Sequence, residues 1–142
     1  MSRLKPFLDP QSPTLTATGL LFMRVMAALL LLFIHGLPKL LNWSGELQRI
    51  EDPFGLGAPL TLGLAVFAEV VCPLLLLLGV AARLACLPVL AVLLVALVVV
   101  HPDWTLEQGQ FAWLLVALYG GLALTGAGAY SVSGMFWRNR VA

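Results

Sequence analysis

Four apolar runs divide the chain. The first, about Thr18–Leu41, reads "TGLLFMRVMAALLLLFIHGLPKLL". The second is Pro59–Gly79, the third about Leu84–Val100 and the fourth about Gln110–Thr125. A bilayer core of about 30 Å takes about 20 helical residues, so the last two runs are expected to extend into their flanks. Pro73 and Pro88 fall inside spans and are expected to kink them. The pattern predicts an all-α fold, a four-helix transmembrane bundle. Residues 1–17 form a polar tail, 18–134 the membrane domain and 135–142 a basic C-terminal segment. The loop "NWSGELQRIEDPFGLGAP" reads either as an ordinary connection or, over "SGELQRIED", as an amphipathic turn on the membrane surface. No period of 20–50 residues marks a repeat array. The first run is too long for a signal-peptide core and no small-residue cleavage site follows it, so it is expected to stay in the mature protein.

Composition strengthens the membrane reading. Of 142 residues 61% are hydrophobic and only 11% charged, against about 25% charged in a soluble domain. Mean hydropathy is +0.98. A net charge of +1 offers no basic surface for nucleic acid. Cys72 and Cys86 form no CxxC pair. In a helical hairpin their depths differ by roughly 9 Å, too far for a disulfide. They are read as small packing residues.

Charge also orients the spans. Arg3, Lys5, Arg83, Arg138 and Arg140 gather on one side, which places both termini in the cytoplasm. Trp43 and Trp104 would then mark the outer interface, and Tyr130 and Trp137 the inner one.

The candidate chemistry lies in the few polar groups inside these runs. Arg24, His35 and Lys39 fall on one helical stripe, since 11 residues at about 100° each leave only about 20° between the first two. Glu69 sits near the middle of the second span, where an unpaired carboxylate is costly. Counted from the cytoplasmic ends, its depth falls between Arg24 and His35, and an Arg24–Glu69 ion pair is expected. His101 closes the third span; with His35, Lys39, Glu107 and Gln110 it is expected to form an outward-facing polar rim. Arg24 and Glu69 would floor that interior. The plainer alternatives are snorkelling for Lys39 and Arg24 and an interfacial loop role for His101. Intramembrane ionisable groups mark functional sites by default, so Glu69, His35, Arg24, Lys39 and His101 are the ligand-binding or proton-relay candidates. Gly36 and Pro38 are expected to bend the outer end of the first span and aim His35 and Lys39 inward. Gly126 and Gly128 are expected to close the fourth helix with positive φ.

With those residues in view, the chain resembles the DoxX family of small four-helix membrane proteins. "FIHGLPKLL" follows an Arg in the first span; "AEVVCPLLLLLGVAAR" supplies a mid-span Glu with a glycine-ended run and a basic residue. The third span ends in His, and "LTGAGAYSVSG" closes the fourth. The resemblance covers about Leu20–Gly134. This chain departs from it at Val70–Pro73, where small residues are usual, and at Ala127, where a proline is. The resemblance implies a multi-pass bundle in the plasma (inner) membrane, similar to subunits of thiosulfate:quinone oxidoreductase and of redox-stress complexes.

Two classes of function are consistent with these residues. One is a redox-linked subunit that binds quinone in an apolar cavity, with Glu69, His35 or Arg24 serving the ring oxygens. No flavin, haem or iron–sulfur motif is present, so no covalently bound cofactor and no metal is expected, and electrons would come from a partner redox protein. The other is a non-catalytic module that binds a small amphipathic ligand or anchors partner proteins. A small transporter ranks below both, because no inverted repeat is visible. Whether the chain is itself an enzyme stays open, as does homo-oligomerisation through "YGGLALTG".

Overall fold

The structure, a computed structural model, describes residue 9 and residues 11–141, the last five of these by backbone alone. Arg3 and Lys5 lie outside the described residues, as do the side chains of Trp137, Arg138 and Arg140. The described chain is helical throughout. In order come α1 (Pro13–Leu41), α2 (Trp43–Leu47), α3 (Ala58–Leu78), α4 (Ala82–Val100), α5 (Leu106–Thr125) and α6 (Val132–Val141). The helical part of the outer loop is thus short: α2 covers only the start of "WSGELQRIED".

The four long helices pack as a ring, α1 on α3, α3 on α4, α4 on α5 and α5 on α1, with the α4–α5 interface the most extensive. Small residues permit this. Ala27 and Ala28 of α1, Cys72 of α3, and Ala85 and Cys86 of α4 are fully buried beside Leu31, Leu76, Val89, Leu115 and Leu122. Both cysteines are free. Inside a membrane the lipid is as apolar as the core, so close packing and hydrogen bonds hold helices together rather than water exclusion. Tyr119 of α5 illustrates it: its hydroxyl donates to the Ala27 carbonyl of α1 at 3.0 Å. α5 starts at a reciprocal cap, in which Thr105 and Gln108 each bond the other's backbone N–H. It ends at Gly126, and Gly126 and Gly128 take φ of +82° and +76°.

Three prolines shape the bundle in the same way. The residue before each of Pro38, Pro73 and Pro102 donates its N–H to the carbonyl five residues back: Leu37 to Leu32, Cys72 to Phe67 and His101 to Ala96. Each proline is therefore preceded by one widened, π-helical turn: Leu32–Gly36, Phe67–Val71 and Ala96–Val100. For Pro38 and Pro73, inside α1 and α3, the cause is steric: proline lacks the N–H and its ring pushes away the carbonyl four residues earlier, and widening the turn relieves the clash. Pro102 stands just past the end of α4. Pro88 lies within α4 without such a turn.

Candidate functional site

The widened turns of α1 and α3 meet at one level. A side chain on Gly36 would run into the Glu69 main-chain carbonyl oxygen, with the carbonyl carbon at 2.7 Å and Val70 Cγ2 at 2.9 Å. Only glycine allows this approach, so α1 and α3 touch backbone to backbone at the height of Glu69. The Glu69 carbonyl is also the one that Pro73 displaces from the helix.

This contact carries Lys39 onto Glu69. One helical turn beyond His35, Lys39 Nζ donates to both carboxylate oxygens, each at 2.6 Å. Glu69 is 5% exposed, whereas the Lys39 side chain keeps 23% of its surface open. The ammonium and carboxylate satisfy each other in an otherwise apolar interior, as buried charges require.

The expected Arg24–Glu69 pair does not form. Gly36, not a residue nearer Arg24, is level with Glu69, and Arg24 lies 12 residues back, about 18 Å along the helix. α1 begins at Pro13, before Thr18, and extends well past the Gly79 end of α3, so the two spans do not start level. Arg24 instead clamps the closing segment. Its Nη1 and Nη2 donate to the carbonyls of Ala127 at 2.6 Å and Tyr130 at 2.8 Å. It is 2% exposed, and its Nε has no hydrogen-bond partner among the described residues. His35 stays close to Lys39 and Glu69, within range of both charges. It lies in the widened turn Leu32–Gly36. The imidazole stacks on Phe111 of α5, with ring centroids 5.9 Å apart.

Beside the ion pair, the N-terminal half of α3 and the C-terminal half of α4 border a cleft of about 680 Å³. Phe67, Pro88, Val92 and Val95 form its apolar walls, and Lys39 and His101 line it. His101 stacks flat on Trp104, with 4.0 Å between centroids and 4° between planes. Glu107 and Gln110, expected on the rim, do not line this cleft; its remaining charges are Glu46, Arg49 and Glu51 from α2 and the loop after it. Lys39, backed by Glu69, is therefore the charged group from α1 at this cleft, and Arg24 does not line it.

The loop wall is itself built by a residue outside the candidate set. Asp52 accepts from the Gly57 N–H at 2.7 Å, the Thr61 hydroxyl at 2.8 Å and the Leu56 N–H at 3.0 Å. Gly55 and Gly57, at φ +66° and +90°, let the chain turn back onto it. The Thr61 hydroxyl, helped by the backbone N–H groups of Gly57, Leu56 and Gly55, holds the Asp52 carboxyl below its ordinary range. Asp followed by Pro-Phe-Gly-x-Gly is a sequence signal that could have marked this turn. Among the described residues no group of three or more His, Cys, Asp or Glu side chains could hold a metal ion.

Among the described residues three helices, α1, α3 and α4, are long and apolar enough to cross a membrane. Phe22, Phe33, Leu84, Leu114 and Leu124 face outward, while the charges that are buried bond inside. That distribution defines a helical, membrane-embedded protein. The chain belongs to the DoxX family: the DoxX family model matches residues 19–102, more than half of its length. That match runs from α1 through α4 and ends beside His101. No match is found among curated proteins or among solved structures.

Proposed function

We propose that the protein is a multi-pass subunit of a redox-linked complex in the plasma membrane, and that its outer cleft holds a quinone-class ligand. The observation that carries this reading is the Lys39–Glu69 pair at the edge of a cleft whose walls are apolar and whose polar end includes His101. A quinone has that polarity: ring oxygens that accept hydrogen bonds, and an isoprenoid tail that needs an apolar groove. Lys39 and His101 are the donors for the ring, and Glu69 is the group through which protons would pass on reduction. Electrons come from a partner redox protein. α5, of 20 residues, is about 30 Å long and packs against α4, which supports reading it as a fourth crossing. Four crossings bring both termini to one side, and the Lys and Arg distribution favours the cytoplasm for that side.

The test is direct binding of a short-chain benzoquinone to the protein in nanodiscs. Val92→Trp fills the groove without touching the ion pair and is expected to abolish binding while the fold persists. Unchanged affinity in that variant would remove the cleft from consideration. The second reading, a non-catalytic module for a small amphipathic ligand or for anchoring partners, is favoured by the absence of any soluble catalytic domain among the described residues. Glu69→Gln separates the two. Lost quinone-linked activity in a folded protein supports the redox site, and loss of the fold supports a structural role alone.

A further inference from the structure

The pairing of Lys39 limits which headgroups the cleft accepts. An ammonium has three N–H bonds, and Lys39 spends two on Glu69. Its third has no partner among the described residues, and Lys39 lines the cleft. A ligand therefore meets a hydrogen-bond donor whose charge is already cancelled. The other charged groups around the cleft leave one negative charge over: Arg49 faces the cleft with Glu46 and Glu51. With Glu69 counted, carboxylates outnumber cations by one when His101 is neutral. An anionic headgroup would add a second uncompensated negative charge in a poorly screened site. A cationic one would lie against Lys39 itself.

From this charge balance we infer that Glu69 is the specificity-determining residue of the cleft. By cancelling Lys39 it restricts the site to uncharged headgroups with acceptor oxygens, and it excludes the carboxylates and phosphates of fatty acids and anionic lipids. The inference rests on the reading that the cleft binds an amphipathic ligand, and it names the headgroup class. Glu69 acts through Lys39 rather than by touching the ligand.

Two probes of matched tail length test it in nanodiscs of neutral lipid: a decyl-substituted benzoquinone and a medium-chain fatty acid. The wild-type protein is expected to bind the quinone at least tenfold more tightly. Glu69→Gln uncovers the Lys39 charge, and fatty-acid affinity is expected to rise roughly 10- to 100-fold with little change for the quinone. The double variant Lys39→Gln with Glu69→Gln removes both charges and is expected to return to the wild-type preference. Should Glu69→Gln alone fail to fold, the wild-type ratio and the double variant still decide. Equal or tighter fatty-acid binding by the wild type overturns the inference, as does a preference that Glu69→Gln leaves unmoved or that the double variant fails to restore. A wild-type protein that binds quinone but not in this ratio sinks only the charge argument. One that binds neither probe ends the cleft reading and this inference together.

Discussion

Breaking the Lys39–Glu69 pair from either side should cost unequal amounts, and breaking it from both sides should cost little. At an N–O separation of 2.6 Å, two unit charges in an effective dielectric of about 20 attract by about 6 kcal/mol. Removing each ion from water costs several kcal/mol, so the intact pair is close to neutral against two apolar residues of similar size. The single variants are not neutral. Lys39→Met strands a carboxylate that is 5% exposed and is expected to lose about 3–4 kcal/mol. Glu69→Met strands a lysine whose side chain is 23% exposed. That ammonium can turn along its methylene stem toward the outer interface, so the loss is about 1 kcal/mol. The double Met variant is expected within about 1 kcal/mol of wild type, which gives a coupling of about 4 kcal/mol. Reversible unfolding in mixed micelles, titrated with a denaturing detergent, measures all four proteins. If the two single losses simply add in the double variant, or if Glu69→Met is the costlier single change, the pairing described here is wrong.

Three further changes probe the parts that hold the site. Gly36→Ala places a methyl group against the Glu69 main chain, where the carbonyl carbon stands at 2.7 Å; α1 and α3 must separate by nearly 1 Å, at about 1–3 kcal/mol, and detergent unfolding should show it. Arg24→Lys keeps a charge but cannot bridge the Ala127 and Tyr130 carbonyls together, so about 2–3 kcal/mol should be lost and amide exchange over 127–131 should speed up. Asp52 has its folded-state pKa depressed by Thr61 and the Gly57, Leu56 and Gly55 amides. Its contribution is therefore complete above the unfolded value of about 3.9 and is lost as pH falls through the lower folded value. Amide exchange at Leu56 and Gly57 should accelerate in that acid range in the wild type, while Asp52→Asn should already exchange faster at neutral pH.

Much of the bundle could be read from residue order alone, and the reason is the bilayer. It demands long uninterrupted apolar helices, and Gly19–Leu41 or Pro59–Gly79 can be little else. The same demand exposed Glu69, because a carboxylate in "VFAEVVCP" stands out against its neighbours. Its partner was harder to find. Depth counting assumed that the spans start level, whereas α1 starts early at Pro13 and brings Gly36 beside Glu69. Where the helices would widen had a visible signal. Proline comes soon after the site residues, in "HGLP", "EVVCP" and "HP", and a membrane helix absorbs such prolines by widening the preceding turn. The prolines thus mark where α1, α3 and α4 depart from regular geometry.

The functional proposal puts its ligand in the groove between the N-terminal half of α3 and the C-terminal half of α4, beside Lys39. The groove can be mapped by photo-crosslinking a short-chain quinone that carries a photoactivatable group on its tail, in nanodiscs, with adducts located by mass spectrometry. Adducts are expected on Phe67 and on Pro88–Val95, competed away by unlabelled quinone and absent from Val92→Trp. Adducts spread over the lipid-facing sides of α1 and α5, with no competition and no effect of Val92→Trp, would contradict that placement.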